Sequence, residues 1–220
     1  KYATSRAMEH WEEAVEVNTV KLCYGINALI TAPPQKGKSY LAKKCLDAFS
    51  EKTPFTYRVL FGERKCDDLG EGTINCDSSA PIDHQLGILY WATSRALRDA
   101  HNGHNVVLGI DSLTRMIEQL TNKYSYTHMI SGGISSSVKD MVSRYFRMAG
   151  SLSEGTLSIV GTCLYSWGNN TWKNVYSELS SVATAEFHPD VRSKKFDKTR
   201  RLPSKSRRSF KIGTFIEMFY

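Results

Sequence analysis

The sequence predicts an α/β protein whose sheet is mostly parallel and covered by helices on both faces. Segments with strand character alternate along the chain with segments of helical spacing. Several strand segments, such as NALITA at 27–32 and LSIVGTC at 157–163, are apolar over most of their length, which is typical of strands buried on both faces. Strands that alternate with helices are the pattern of a parallel sheet with crossover helices.

Hydrophobic spacing places the individual elements. Strands are expected at 27–32, 55–61, 73–77, 155–163, 184–188 and 213–219, and residues 103–111 are expected to form a turn that enters a buried strand. Helices are expected at 3–16, 38–49, 82–101, 112–120 and 136–150. Residues 121–137 are polar and contain glycine, so we expect a loop there. Pro81 suits the first turn of the helix that follows it.

The chain length and cysteine pattern limit the class of protein. A chain of 220 residues is long enough for one sizeable core, and we expect an N-terminal helix or linker at 1–20 and one domain at 21–220. No apolar run approaches the roughly 20 residues that a membrane span needs, so no membrane partner is expected. The five cysteines are scattered without a CxxC pair, which favours a reducing cytoplasm.

The positive charge is concentrated in one segment. Residues 192–211 hold ten Lys or Arg and one Asp, a net charge of +9, whereas the whole chain has a net charge of +7. One interpretation is a solvated or disordered loop. The others are a contact with a polyanion, or arginines that reach a nucleotide on a neighbouring subunit.

The stretch LITAPPQKGKSYLAKK, residues 29–44, lies between a predicted strand and a predicted helix. A phosphate-binding loop at such a junction needs backbone N–H groups, a helix N-terminus, a lysine and a hydroxyl. Gly37, Lys38 and Ser39 supply the end of that pattern. Lys38 would reach the β- and γ-phosphates of a nucleotide, and Ser39 would hold Mg²⁺.

The start of this loop departs from the usual pattern. Ala32 stands where the first glycine is expected. Pro33 and Pro34 have no N–H group, so the phosphate cradle must use Gln35 onward. The alternative is an ordinary helix start with a basic first turn. A helix N-terminus disfavours cations, however, so lysines there have little structural purpose without an anion.

Two carboxylates follow predicted strands. Asp111 ends the apolar strand VVLGI, where it would hold Mg²⁺ through water, or alternatively would cap the next helix. Glu63 comes just after the strand YRVLF, where it would orient an attacking water, or alternatively would form an exposed salt bridge beside Arg64. Ligands of parallel sheets bind at the carboxyl ends of strands, so we expect the loops at 32–39, 62–68, 111–115 and 163–173 to share one site.

These stretches together, in this order, resemble the ATPase domain of transcription termination factor Rho. The segments that carry the resemblance are APPQKGKS, VLFGERKCDDL, VVLGIDSLTRM, ISGGISSSV, SLSEGTLSIVGTCL and VYSEL. It covers about residues 20–210, and the two prolines before the loop are a Rho-like feature. The motifs around Glu63 and at 112–115 also occur in rotary and secretion-type ATPases.

The resemblance implies a RecA-like P-loop NTPase domain that forms a hexameric ring, with ATP and Mg²⁺ bound between neighbouring subunits. Glu63 would be the catalytic base, Asp111 the metal-site carboxylate beside Ser39, and Arg115 a phosphate-side or interface arginine. The residues that would contact ATP are Pro34, Gln35, Lys36, Gly37, Lys38, Ser39, Tyr40, Arg64, Arg115 and Leu202. The catalytic set would comprise Lys38, Glu63, Arg200, Arg207 and Arg208.

The basic segment has a role within this resemblance. Arginines after the last core strand of the family complete the neighbour's site, and Arg200 matches one of them. Arg207 or Arg208 would stabilise charge on the transferred phosphate. The family usually has an aromatic residue before the proline in this segment, whereas this chain has Leu202, and Tyr40 would stack on the other face of the base.

The resemblance also implies a central pore that grips single-stranded RNA. Residues 121–137 match the first pore loop, and 165–173 match the second. Asn170 stands where the family has a lysine, and Lys173 is displaced from that position. The residues that would contact RNA are Lys123, Tyr124, Tyr126, Gly132, Gly133, Asn170 and Lys173, with His128 as a further stacking side chain. The alternative is an exposed loop of ordinary polar and aromatic residues.

The resulting hypothesis is an ATP-hydrolysing ring motor of the Rho type that binds single-stranded RNA and acts with the transcription machinery. One alternative is a diverged ring ATPase of the rotary or secretion class that acts on DNA or protein. The other is a Rho-like ring protein that does not hydrolyse ATP, which the changes at Leu202 and Asn170 favour.

Overall fold

The computed structural model describes residues 15–17, 20–61, 69–124, 129–130, 134–165 and 170–189. The strands in this part of the chain are β1 (Val15–Val17), β2 (Val20–Leu22), β3 (Asn27–Ala32), β4 (Thr56–Phe61), β5 (Thr73–Cys76), β6 (Asn105–Asp111), β7 (Met129–Ile130), β8 (Ile134–Ser135), β9 (Gly150–Ser151), β10 (Thr156–Leu164) and β11 (Ala185–Phe187). The helices are α1 (Lys38–Ser50), α2 (Ile82–His101), α3 (Leu113–Lys123), α4 (Ser136–Phe146) and α5 (Asn170–Val182).

The main sheet has the strand order β11-β3-β10-β6-β4-β5, and every pair along this path is parallel. Strand β9 adds a short antiparallel pair at the start of β10. The chain reaches each new strand through a helix or a crossover, as a parallel sheet requires. The predicted class, an α/β protein with a mostly parallel sheet, is therefore confirmed.

Alternate residues of each central strand face opposite sides of the sheet. Val59 and Phe61 belong to the buried cluster on the side of α2, α3, α4 and α5, whereas Leu60 between them belongs to the cluster on the side of α1. Helix α1 and the β1–β2 hairpin thus cover one face, and the other four helices cover the second. This arrangement explains why the strands are apolar at consecutive positions, because both faces are buried.

Two predictions at the edges of this fold are wrong. The helix predicted at 3–16 does not extend to residues 15 and 16, because Val15–Val17 pair with Val20–Leu22 in an antiparallel hairpin that buries Val17 and Leu22 against α1. The helix predicted to reach residue 150 ends at Phe146, and Gly150 pairs with β10 instead. Residues 3–14 and the strand predicted at 213–219 lie outside the described residues.

Three predicted loops are partly regular structure. Helix α3 continues to Lys123, so the loop predicted at 121–137 starts later, and its second half contains β7, β8 and the start of α4. The loop predicted at 111–115 is reduced to Ser112, because α3 begins at Leu113. The segment predicted as a loop at 163–173 ends in α5, which was missed because only Val175 and Leu179 are buried along its 13 residues.

No helix among the described residues is long and apolar enough to span a bilayer. The four cysteines in this part of the chain, Cys23, Cys45, Cys76 and Cys163, are buried free thiols. They therefore contribute to packing rather than to a covalent cross-link.

A pair of glycine substitutions tests the packing of the fold. We expect Gly155→Ala to destabilise the chain by about 1–3 kcal/mol, as overpacking does. The added Cβ would lie 2.4 Å from the His104 carbonyl oxygen and 2.5 Å from the Ala100 carbonyl oxygen. The control is Gly87→Ala within α2, where nothing lies within 4 Å of the new Cβ. Since alanine favours helix over glycine by up to about 1 kcal/mol, this control should stabilise the chain. Thermal unfolding measures both, and equal effects would contradict the structure.

Candidate functional site

The candidate site lies at the carboxyl edge of the main sheet. Strands β3, β10, β6 and β4 end there together, because Ala32 is in register with Leu164 and Asp111 is in register with Leu60. The loop 33–37 leaves β3 at this edge, between β10 and β11. Ligands of parallel α/β sheets bind at such an edge.

The loop 33–37 is exposed and turns sharply into α1. Gly37 has φ +81° and has no atom within 4 Å of the position a Cβ would take, so its backbone conformation rather than a lack of space requires glycine. Gln35 also has a positive φ, at 60°. No side chain caps α1, and its first turn holds no acidic residue. The amide groups of this turn are therefore available to an anionic ligand.

Lys38 is the first residue of α1, and its side chain folds back over the loop. It is 8% exposed, and its Nζ donates a hydrogen bond to the Pro33 carbonyl oxygen at 3.1 Å. A lysine at the positive end of a helix is unfavourable by itself, but it adds to the attraction for an anion. Ser39 follows it, half-buried, in the same turn. Both residues therefore lie in the first turn of α1, directly after the loop.

Asp111 ends β6 at the same edge of the sheet, with β10 between β6 and β3, and is 2% exposed. The Thr162 hydroxyl of the neighbouring strand donates a hydrogen bond to Asp111 Oδ1. Asp111 does not cap α3, because that role belongs to Ser112, whose Oγ accepts a hydrogen bond from the Arg115 N–H at 3.2 Å. The peptide bond between Asp111 and Ser112 is cis. The alternative of a capping aspartate is therefore excluded.

Arg115 lies on the first turn of α3, one turn beyond Asp111. Its Nη1 donates a hydrogen bond to Glu118 Oε2 at 2.7 Å, and its side chain is 44% exposed. The Trp172 indole N–H of α5 donates to the other oxygen of Glu118 at 3.4 Å. The arginine is thus held by a carboxylate that also contacts the start of α5.

The predicted RNA contacts that fall in the described part of the chain lie on helices, except Tyr124, which is the C-cap of α3. Lys123 ends α3, and its Nζ forms an ion pair with Asp83 at 2.5 Å. The hydrogen bond to Asp83 raises the pKa of Lys123 above its usual value. Its Nζ also lies 5.4 Å from the centre of the Tyr124 ring. Asn170 and Lys173 are exposed in the first turn of α5 rather than in a loop.

Tyr40, the predicted stacking residue, is 55% exposed in the first turn of α1. Ten other predicted site residues lie outside the described residues: Glu63, Arg64, Tyr126, His128, Gly132, Gly133, Arg200, Leu202, Arg207 and Arg208. The structure does describe where the segment with Glu63 begins. Phe61 is its preceding strand residue, and the Phe61 carbonyl oxygen accepts a hydrogen bond from the Ser112 N–H at 3.4 Å. The chain therefore enters residues 62–68 directly beside Asp111.

The sequence reading missed a buried polar cluster next to the loop strand. Glu186 in β11 is 3% exposed and accepts a hydrogen bond from the Ser180 hydroxyl at 2.9 Å. His188 Nε2 lies 3.1 Å from Glu186 Oε1, and His188 Nδ1 lies 2.9 Å from the Thr31 hydroxyl. Burial alone would raise the Glu186 pKa, but hydrogen bonds from His188, Tyr176 and Ser180 lower it to about 2. A glutamate within an otherwise apolar strand, AEF, was the available signal.

Two surface clefts lie away from this edge. The larger, of about 500 Å³, is lined by residues at the opposite end of the sheet, among them Lys52, Phe55 and His104. The smaller, of about 360 Å³, lies beside the edge strand β5 and contains the exposed Trp91. Neither includes a residue of the loop 33–39.

The residues at the carboxyl edge fit a nucleotide with Mg²⁺. The loop supplies amide donors and the Lys38 ammonium group, which suit phosphate oxygens. The Ser39 hydroxyl and the Asp111 carboxylate are oxygen ligands, and Mg²⁺ in nucleotide sites takes one or two of these and completes its shell with water and phosphate. The described residues contain no group of three His, Cys, Asp or Glu that would hold a metal by themselves.

Sequence comparison identifies relatives of the chain. Rho from Karelsulcia muelleri is 24% identical over 177 residues, which cover 76% of this chain and 46% of that protein. Rho from Mycobacterium tuberculosis is 27% identical over 177 residues, which cover 76% of this chain and 29% of that protein. The chain resembles Rho. The similarity extends to Rho from Thermotoga maritima, 27% identical over 176 residues that cover 74% of this chain and 40% of that protein.

The chain spans less than half the length of these Rho proteins, and no family model matches it. The similarity to Rho supports a Rho-like ATPase domain in this chain.

Solved structures establish the fold. A prototypical ATPase from the type III secretion system of pathogenic bacteria has a TM-score of 0.66 at 20% identity, over 79% of this chain and 53% of that chain. The type III secretion ATPase EscN from enteropathogenic E. coli has a TM-score of 0.64 at 19% identity, over 80% of this chain and 45% of that chain. The fold is that of a RecA-like P-loop ATPase domain.

Proposed function

We propose that the chain binds ATP with Mg²⁺ at the carboxyl edge of its sheet and hydrolyses it. The observation that carries this proposal is the loop 33–37, whose αL glycine turns the chain into α1 and whose Pro33 carbonyl oxygen accepts a hydrogen bond from the buried Lys38. The similarity to Rho supports it independently.

Each group at the edge has a separate part in this chemistry. The amide groups of residues 35–39 and Lys38 would bind the phosphates, and Lys38 would stabilise the charge that develops on the transferred group. Ser39 and Asp111 would hold Mg²⁺, with Thr162 fixing the Asp111 carboxylate by its hydrogen bond. Glu63 would orient the attacking water, since the segment that contains it begins beside Asp111. Bound ATP supplies the phosphoryl group and the leaving group.

We propose further that copies of the chain assemble into a ring in which the basic segment 192–211 of one copy completes the site of the next. A hexamer would place Arg200 and Arg207 or Arg208 at the neighbour's phosphates. The net charge of +9 in that segment supports this, because an arginine supplied by a neighbour is a recurrent device of phosphoryl transfer.

We propose single-stranded RNA as the polymer on which this ring acts, in the manner of the Rho proteins and with the transcription machinery as a further partner. The sequence similarity to proteins named transcription termination factor Rho supports this choice. In the described part of the chain, exposed Asn170 and Lys173 begin α5 at the same edge as the nucleotide loop.

One observation favours a second candidate, a ring ATPase of the rotary or secretion class that acts on protein or DNA. Lys123, a predicted RNA contact, is held in an ion pair with Asp83 of α2, and Asn170 replaces the lysine expected from the resemblance. Both features reduce the positive charge offered to RNA. A Rho-like ring protein that does not hydrolyse ATP is the remaining alternative.

Replacement of Lys38 tests the nucleotide proposal. We expect Lys38→Ala to lower the ATPase rate by about 100-fold or more, because loss of one preorganised charge-stabilising group commonly has this effect. The control is Lys52→Ala, which removes the same charge from an exposed residue beyond the other end of α1. The rate of phosphate release measures both variants. Equal rates in Lys38→Ala and Lys52→Ala would contradict the proposed role of the loop.

Addition of polymers tests the RNA proposal. We expect the ATPase rate of the unmodified chain to rise with poly-pyrimidine RNA and not with the same length of duplex DNA, since RNA in the pore would favour the hydrolysing state. The mass of the assembly in solution, measured in parallel, should correspond to a ring. Hydrolysis that does not respond to any RNA would overturn the RNA proposal and favour a secretion-class ATPase.

A further inference from the structure

Glu186 joins two parts of the structure that are far apart in sequence. It lies in β11, which pairs with β3, the strand that leads into the nucleotide loop. The Ser180 hydroxyl of α5 donates to its Oε2 at 2.9 Å, and the Tyr176 hydroxyl of the same helix also hydrogen-bonds to the carboxylate. The carboxylate is thus held by two successive turns of α5.

The other oxygen of Glu186 connects to the loop strand through His188. His188 Nε2 lies 3.1 Å from Glu186 Oε1, and its Nδ1 lies 2.9 Å from the Thr31 hydroxyl. The direct distance from the Thr31 hydroxyl to Glu186 Oε1 is 3.5 Å, which is long for a hydrogen bond. The His188 imidazole therefore connects Glu186 to Thr31 more strongly than the direct contact does. Thr31 lies two residues before Pro33, the first residue of the loop.

A second contact runs parallel to this one. The Tyr165 N–H donates to the Ala32 carbonyl oxygen at 3.1 Å, immediately before the loop. The Tyr165 ring lies 4.5 Å from the Tyr176 ring of α5. The first turn of α5 contacts α3 through the hydrogen bond of Trp172 to Glu118. Helix α5 therefore contacts both the strand that precedes the nucleotide loop and the helix that follows Asp111.

Because Glu186 is buried, its charge depends on these contacts. A carboxylate that is 3% exposed stays charged only while its donors remain in place, because an unpaired charge in the interior is costly. The depressed pKa agrees with a carboxylate that is fully ionised near neutral pH. A small displacement of β3 would therefore move His188 and Glu186, and with them α5.

We propose that Glu186 is a positioning residue that joins the nucleotide-loop strand to α5, so that nucleotide binding at residues 33–39 changes the surroundings of Trp172. This inference rests on the proposed nucleotide site. Through Glu186, nucleotide binding in the loop would change the position of residues 170–173 at the start of α5.

Tryptophan fluorescence tests the proposal on the full chain. A variant with Trp11, Trp91 and Trp167 replaced by Phe keeps Trp172 as the sole indole. We expect Mg²⁺ and ADP to change its emission with the same midpoint as ADP binding measured by calorimetry. Adding Glu186→Gln should remove most of the emission change while the ADP dissociation constant changes by less than about tenfold.

Two further variants keep the result interpretable. Glu178→Gln is the matched control, because Glu178 lies on the same helix but pairs with Lys139 of α4 at 3.0 Å, and it should keep the full emission change. Tyr176→Phe retains the ring against Tyr165 and removes only the hydroxyl donor, so it should lose part of the emission change even where Glu186→Gln fails to fold.

The outcomes separate the two proposals. ADP binding without an emission change in the single-tryptophan variant that keeps Glu186 would overturn the role of Glu186 and leave the nucleotide site intact. A full emission change in both Glu186→Gln and Tyr176→Phe would also overturn it. The same conclusion would follow if the two substitutions lowered the melting temperature and changed nothing else. Absence of ADP binding in the calorimeter would overturn the nucleotide site itself and the coupling with it.

Discussion

The parallel pairing of β3, β10 and β6 is the constraint on which the rest of the structure depends. Their register brings the ends of three strands, at residues 32, 111 and 164, to one edge of the sheet. The loop after β3, Asp111 at the end of β6 and Thr162 near the end of β10 therefore lie at the same edge of the sheet, where the Thr162 hydroxyl donates a hydrogen bond to Asp111. Side chains on rigid strand ends are held more precisely than side chains on loops.

Backbone geometry explains how the proposed nucleotide loop can lack its first glycine. The two prolines occupy the part of the loop that leaves the strand, where no N–H is needed for the cradle. The αL conformation is concentrated at Gln35 and Gly37, directly before α1. The amide groups proposed to bind phosphate are those at the start of α1, where Lys38 is the first residue. The Pro33 carbonyl oxygen, which a proline retains, is the group to which Lys38 donates.

The sequence predicted the elements that carry strong periodicity and failed where tertiary contacts decide. Strand 27–32 was predicted at its observed bounds because it is a nearly continuous apolar run, and helix 82–101 because its buried apolar residues recur with a helical period. Helix α5 was missed since it buries only Val175 and Leu179, and its further contacts include polar ones such as Ser180 with Glu186. Loop residues were identified by motif, whereas the Glu186 cluster has no motif and depends on strand pairing across 155 residues of sequence.

Ligand-dependent unfolding tests the central claim, that the edge of the sheet around Lys38 is a nucleotide site, most directly. The melting temperature of the unmodified chain should rise with ADP and Mg²⁺, since a ligand at about 100 times its Kd adds about 2.7 kcal/mol to the free energy of unfolding. Adenosine, which lacks the phosphates that the loop would bind, should have little effect at the same concentration. Identical melting temperatures with ADP, with adenosine and with no ligand, at millimolar concentrations, would contradict the account.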